Sequence, residues 1–320
     1  MGENIYMFDF IVTGGCGFIG SHFIELILSK GYRVLNIDKI TYVSWENIGF
    51  EDNPHYSFLK ADITQLSNLP KCDFLVNFAA ESYVDNSIER SEEFFQSNVQ
   101  GVHNLLERIR VKPKFDRPVF IQISTDEVYG DTVDGMFTEK DYLRPSNPYS
   151  ATKAAAEQFV FAYNRTYGID YLITRCSNNF GIRQYPEKLI PKTIVNAILN
   201  KPMTIHGNGS YIRSWIHVKD HCSALLSLIE HNKINDIYNI CSRDEMRNID
   251  IVNLIYQKMN KKPMLQYVEN RWGQDLRYAI STTKIEDTID WKAKFNIKDS
   301  IDDVINFYKG IYEPHSKTQR

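Results

Sequence analysis

A chain of 320 residues with 43% hydrophobic content is long enough for one large domain or two modest ones, and apolar enough to argue against a disordered chain. Its 37 basic and 40 acidic residues are interspersed and sum to a net charge of -3, so no basic stripe exists for nucleic acid or an acidic membrane, and neither partner is expected. Five cysteines at wide spacings, with no CxxC pair, fit reduced thiols rather than a disulfide framework or a zinc site, which points to the cytoplasm.

The first residues lead into an apolar strand without the basic and long apolar regions of a secretion signal, and Tyr6 stands where a myristoylation signal needs Ser or Thr. No apolar run approaches the roughly 20 residues of a membrane helix. The sequons at Asn164 and Asn208 are therefore read as chance. Between residues 8 and 180, short apolar runs alternate with helical stretches: Phe8 to Thr13, Tyr32 to Asp38, Tyr56 to Asp62, Phe74 to Ala79, Val119 to Ser124 and Tyr171 to Cys176. Strands spaced by helices predict a parallel, doubly wound α/β sheet. After Gly181, prolines and glycines break the pattern, although Ile237 to Cys241 still reads as a buried strand. The expected organisation is a Rossmann-type domain over 1–180 and 212–243, with a smaller interwoven substrate domain over 181–211 and 244–320. The polar tail after Tyr312 reads as unstructured.

The first strand runs into Gly14-Gly15-Cys16-Gly17-Phe18-Ile19-Gly20, and helical spacing follows from Phe23 to Leu28. A glycine turn between strand and helix lets backbone approach a pyrophosphate while the helix N-terminus faces the anion. Asp38 ends the second strand about 20 residues later, where a carboxylate accepts hydrogen bonds from ribose hydroxyls and repels a 2′-phosphate. That favours NAD over NADP, with Lys39 acting against the argument. Asp62 and Ile63 follow the third strand in a position to flank adenine, and Ala79-Ala80-Glu81-Ser82 follows the fourth with small residues where backbone passes close to a ligand.

The fifth strand ends in Thr125-Asp126-Glu127, at the carboxyl edge where an open α/β sheet builds its site. Side by side in a desolvated cleft the two carboxyls repel, which raises one pKa and provides a proton donor beside an acceptor. Further on, Asn147 reads as a helix cap and Pro148 as first-turn proline, so Tyr149 and Lys153 share one face. At that spacing the ammonium is expected to lower the phenol's pKa, and Tyr149 takes a hydroxyl proton as hydride leaves, with Thr125 orienting the hydroxyl.

Together these residues resemble the extended short-chain dehydrogenase/reductases, and more narrowly the dTDP-glucose 4,6-dehydratases. The resemblance rests on Thr13 to Ser21, Phe78 to Ser87, Ile123 to Gly130, Asn147 to Lys153, Arg175 to Gly181, Tyr185 to Pro191 and Arg271 to Ala279. It implies an NAD cradle of Gly14, Gly17, Phe18, Ile19, Gly20, Asp38, Lys39, Thr41, Asp62, Ile63, Phe78, Ala79, Ala80, Ser82, Ser97, Ser124 and Asn179, with Tyr149 and Lys153. It implies nucleotide-sugar contacts from Ser82, Thr125, Asn178, Lys188, Leu189, Thr204, His206, Arg213, Asn248 and Arg271, the arginines suiting a diphosphate. The chemistry it implies is oxidation at carbon 4 begun by Tyr149, proton removal from carbon 5 by Glu127, protonation of the departing 6-hydroxyl by Asp126, and hydride return to carbon 6. It also implies a homodimer through a four-helix core formed by Ser91 to Arg108 and Tyr149 to Tyr167.

Departures from the family concern the nucleotide and sugar. Ser82-Tyr83-Val84-Asp85 and Arg271-Trp272-Gly273-Gln274 each replace a usual histidine, and Val268-Glu269-Asn270-Arg271 is reminiscent of UDP-glucose 4,6-dehydratases. UDP-glucose therefore stands beside dTDP-glucose as substrate. A UDP-sugar epimerase or decarboxylase, or a non-catalytic NAD sensor, remains open on sequence alone. His217 and His221 have helical metal spacing without an evident third ligand, so no metal is expected.

Overall fold

The computed structural model describes residues 7–44, 49–270 and 272–316, with the backbone alone for 314–316. Six strands, β1 (Phe8–Thr13), β2 (Val34–Asp38), β3 (Tyr56–Lys60), β4 (Cys72–Asn77), β5 (Val119–Thr125) and β6 (Tyr171–Cys176), join Asp236–Ile240 in one sheet. Its order is β3-β2-β1-β4-β5-β6 and then Asp236–Ile240, with every pairing parallel. The predicted Rossmann-type architecture is thus present, and strand order reverses between β1 and β4, the place where such sheets open a ligand crevice.

Covering both faces explains why the strands read as unbroken apolar runs. Phe10, Val12 and Val76 pack under the helices Phe18–Ser29 and Val218–Glu230, while Ile11, Leu35 and Phe120 pack under Gly101–Arg110 and Pro148–Tyr167. β3 is the exception. It sits at the sheet edge, and Phe58 and Leu59 are exposed, so the strand ends at Lys60 rather than at Asp62.

A second core gathers Phe180, Ile190, Ile194, Trp215, Ile255 and Tyr308 between the helices Leu189–Ile198, Asn248–Lys258 and Ile297–Ser316. Beside it, Ile212–His217 pairs with Asn178–Phe180 in parallel and with Glu245–Arg247 antiparallel. Residues 212–217 therefore belong to this small sheet and not to the seven-stranded one. The last helix also corrects a sequence expectation. It continues through Ser316, beyond the tail predicted to start after Tyr312, because Ile297, Ile301, Val304, Ile305 and Tyr308 present an apolar stripe at helical spacing to the second core.

Candidate active site

A cleft of about 400 Å³ opens at the carboxyl edge of the sheet. Its floor begins at the glycine turn. Gly14 has φ +71, and a Cβ there would sit 2.5 Å from the Ala79 nitrogen, so the turn after β1 and the segment after β4 touch backbone to backbone. A Cβ at Gly20 would stand 2.4 Å from the Gly14 carbonyl, which is the close strand-to-helix approach the motif predicts. Phe18, Ile19 and Gly20 line the cleft, and Gly17 at the helix cap has no side chain to occupy their N–H groups. Those donors and the positive helix end suit a diphosphate. Gly20→Ala is expected to destabilise the fold by about 1–3 kcal/mol through overpacking, measurable as a lower melting temperature.

The other residues expected at the cofactor divide into two groups. Phe78, Ala80, Ser82, Ser124 and Asn179 line the cleft with Gly14 and Gly17, and Ser124 Oγ finds no partner among the described residues. Asp38, Lys39, Thr41, Asp62, Ile63, Ala79 and Ser97 are not in that lining. Asp38 accepts from the Cys16 nitrogen at 2.9 Å and the Ile40 nitrogen at 2.8 Å, bracing the glycine turn, and burial raises its pKa. Lys39 pairs with Glu81 at 3.5 Å, Thr41 N–H donates to Ser44 Oγ, and Asp62 caps Thr64. Ile63 lies in the core, and a Cβ on Gly101 would come within 2.5 Å of its Cδ1. Its side chain faces helix, not cleft. Ser97 is buried in a π-helical turn over Gln96–Gln100 that interrupts the expected continuous helix.

Opposite the glycine turn, β5 delivers Thr125 in extended conformation, and a single 3-10 turn over Asp126–Tyr129 follows. Thr125 Oγ1 accepts the Glu127 N–H at 3.3 Å and donates to Asp126 Oδ1 at 3.2 Å, which folds both acids back toward the cleft. Burial and then the neighbouring Glu127 push the Asp126 carboxyl up to about 8. Its Oδ2 has no partner among the described residues. Burial raises Glu127 as well, while the Arg213 guanidinium and the Asn147 amide hold it down, the amide donating to Oε2 at 3.3 Å. Asp126 is therefore placed to give up a proton near neutral pH, with the Glu127 carboxyl beside it.

The helix Pro148–Tyr167 starts as predicted, with an Asn147–Ser150 capping box and Pro148 in the first turn. Tyr149 and Lys153 both line the cleft, and Phe94 packs edge-on to the Tyr149 ring at 6.3 Å. The expected lowering of the phenol by Lys153 is corrected here. Burial, followed by the Glu127 carboxylate, Cys176 and Asp126, drives Tyr149 well above its ordinary value. Lys153 instead donates to the Ile123 carbonyl at 2.5 Å, and burial lowers it to about 8. A buried ion pair holds the two halves of the site together: Arg175 of β6 binds Glu157 of this helix at 2.6 Å and Tyr129 of the acidic turn at 2.6 Å. Loss of one partner would leave an uncompensated buried charge.

Of the expected substrate contacts, Ser82, Thr125, Asn178, Lys188, Leu189, Thr204, His206, Arg213 and Asn248 line this same cleft, while Arg271 lies outside the described residues. Arg213 stacks on the Tyr278 ring at 4.1 Å and donates to the Asp275 carbonyl at 3.0 Å. Lys188 donates to the Ser82 carbonyl at 2.7 Å. Asn248 Oδ1 is buried without a partner among the described residues. Tyr83, Trp272 and Gln274, where the sequence departs from the family, also line the cleft. Sequence reasoning missed Asp275, Tyr278 and the Asn147 contact to Glu127, because such packing has no spacing signal. His217 and His221 serve different neighbours: one accepts from the Lys219 nitrogen, and the other bonds Asn179 Oδ1 at 3.0 Å. Among the described residues no three His, Cys, Asp or Glu side chains converge as a metal site, and no helix is long and apolar enough to cross a membrane.

A Rossmann sheet with a glycine turn, a serine-threonine strand end and a Tyr-Lys helix facing one cleft defines an extended short-chain dehydrogenase/reductase. More narrowly, residues 11–304 match the family described as GDP-mannose 4,6 dehydratase, and the chain belongs to that family. Among its relatives, the low-salt glycan biosynthesis protein Agl12 of Haloferax volcanii is 42% identical over 94% of this chain and 99% of its own. A probable dTDP-glucose 4,6-dehydratase of Sinorhizobium fredii is 39% identical over 93% of this chain and 92% of its own. The crystal structure of dTDP-glucose 4,6-dehydratase from Bacillus anthracis in complex with NAD superposes with a TM-score of 0.85 at 36% identity, covering 94% of this chain and 96% of that one.

Proposed function

We propose that this chain is an NAD-dependent nucleotide-sugar 4,6-dehydratase that converts dTDP-glucose to dTDP-4-keto-6-deoxyglucose. The observation that carries the reading is the Asp126–Glu127 pair, two adjacent carboxyls in the same cleft as Tyr149 and Lys153. An epimerase or an NAD sensor has no use for two such carboxyls. The glycine turn, the uncapped first helical turn and the orphaned Ser124 hydroxyl suit NAD, and relatives named as dTDP-glucose 4,6-dehydratases support the same activity. NAD when bound supplies the hydride acceptor at the start and the hydride donor at the end.

The chain's own residues do the proton chemistry. Tyr149 takes the proton of the 4-hydroxyl, which Thr125 orients, and Lys153 steadies the developing phenolate. Once carbon 4 is a ketone, the carbon-5 proton is acidic and Glu127 removes it. Asp126, still protonated near neutral pH, gives its proton to the departing 6-hydroxyl. Lys188, Arg213 and Asn248 hold the diphosphate and nucleoside side of the cleft. We read 1–180 with 212–243 as the cofactor-binding part and 181–211 with 244–320 as the sugar-nucleotide part, except that strand 212–217, which joins the small sheet, sides with the latter.

UDP-glucose is the second substrate reading, because Tyr83, Trp272 and Gln274 replace family residues within the cleft lining itself. Purified protein incubated with dTDP-glucose, UDP-glucose, UDP-N-acetylglucosamine and GDP-mannose tests both, with products followed by mass and NMR. Loss of 18 mass units from dTDP-glucose alone is expected; epimerised or decarboxylated product would sink the dehydratase reading. NAD, not NADP, is expected in the supernatant of denatured protein. A homodimer through the helical stretches 91–108 and 149–167 is supported by Phe95 and Tyr167, exposed on them at 52% and 39%. A dimer mass is expected in solution, and a monomer at micromolar concentration would contradict it. Five free, buried thiols support a cytoplasmic setting.

A further inference from the structure

Glu127 is a half-buried residue, and among the described residues two side chains hydrogen-bond its carboxylate: the Asn147 amide at 3.3 Å and the Tyr278 hydroxyl at 3.4 Å. They differ in what they can do. An amide N–H donates and cannot carry a proton onward, whereas a phenol both accepts and donates. Behind Glu127, Tyr278 donates at 2.5 Å to Asp275 Oδ2, which also accepts from the Ser146 hydroxyl. Tyr278 and Asp275 are each 5% exposed, while Ser146 is exposed. Four groups therefore run in file from the cleft lining to the surface. The first contact is long, as such contacts are before a substrate closes the site.

We propose that Tyr278, Asp275 and Ser146 form a proton wire that exchanges the hydrogen held by Glu127 with solvent, a role that rests on the dehydratase reading above. After Glu127 has taken the carbon-5 hydrogen, its O–H bond breaks as a Tyr278 O–H bond forms. In the same motion the original Tyr278 O–H breaks and its proton joins Asp275 Oδ2. Glu127 is again a carboxylate, Tyr278 is again a neutral phenol, and Asp275 is a neutral acid. The Ser146 hydroxyl then turns its hydrogen from Asp275 toward water, Asp275 passes its proton to Ser146 Oγ as that hydroxyl hydrogen leaves to water, and the reverse sequence returns a solvent hydrogen to Glu127. No electron moves. The concerted form matters because burial and the Glu127 charge push the Tyr278 phenol far above its ordinary value, so a free phenolate has no place in the wire. Arg213, stacked on the Tyr278 ring at 4.1 Å, keeps that ring in line and offsets the negative charge passing beneath it.

The test reads where the carbon-5 hydrogen of the product comes from, which a merely structural role would leave unchanged. Substrate carrying deuterium at carbon 5 is turned over in ordinary water by wild type, Tyr278→Phe, Asp275→Asn and Ser146→Ala. Wild type is expected to give product with a solvent hydrogen at carbon 5. With the wire cut, the hydrogen stays on Glu127 and returns, so deuterium becomes the major label in Tyr278→Phe and Asp275→Asn and rises in Ser146→Ala. Circular dichroism shows which variants fold, and Ser146→Ala at the exposed end carries the test if the buried two do not. Complete solvent label in the folded variants, even at reduced rate, overturns the wire, as does full retention by wild type. If wild type forms no 4-keto-6-deoxy product from any nucleotide sugar, the dehydratase reading fails first and the wire falls with it.

Discussion

Tyr149→Phe is expected to lower turnover by at least about a thousandfold, the upper part of what a positioned proton acceptor contributes. The phenol is the hydroxyl that shares the cleft with Thr125 and Lys153, and phenylalanine keeps the ring that packs edge-on to Phe94. The fold should therefore persist. Normal circular dichroism with product formation at background level is the expected pair of results, and near-normal turnover would remove Tyr149 from the chemistry. Because burial and the acidic pair hold the phenol well above its ordinary value, Tyr149 cannot act as a base unaided. Lys153→Met should thus be about as damaging as Tyr149→Phe, although it leaves the phenol in place.

Glu127→Gln is expected to stop the reaction after its first step, with a loss of roughly a hundredfold or more as for other positioned bases. Tyr149, Lys153 and Thr125 are untouched, so oxidation at carbon 4 still proceeds and the near-ultraviolet absorbance of reduced nicotinamide should build up while elimination stalls. Asp126→Asn should stall the same sequence one step later, at loss of water. The pH profile separates the two roles. Asp126 has a folded pKa raised to about 8, so it is protonated below that pH and loses its proton as pH rises through it. Wild-type elimination should fall above about pH 8, and that limb should vanish in Asp126→Asn, whose residual rate no longer depends on that proton. Wild-type rates in both variants would reduce the pair to an acidic turn and return the epimerase reading to the front.

Much of this site was legible in one dimension because its parts are local. The turn at Gly14 to Gly20 sits between a strand and a helix, Tyr149 and Lys153 are one helical turn apart, and Asp126 and Glu127 are adjacent, so spacing alone brings each group together. Strand runs such as Phe8 to Thr13 and Tyr171 to Cys176 were equally plain, since a parallel sheet covered on both faces needs continuous apolar sequence. Helix Ile297–Ser316 was harder to end, because its last turns lean on a core whose other residues come from distant segments, among them Ile194 and Ile255.

The sequence by itself determined the fold class, the glycine turn, the capped helix that carries Tyr149 and Lys153, and the acidic pair, all set by nearest-neighbour geometry and hydrophobic period. Only the tertiary structure decided that Ile63 turns into the core, that 212–217 joins the small sheet, that Tyr149 is raised and not lowered, and that Asp275 and Tyr278 stand behind Glu127. Each of those depends on the burial and charge that distant segments bring to one point, and neither burial nor charge at a point is a property of any single stretch of chain.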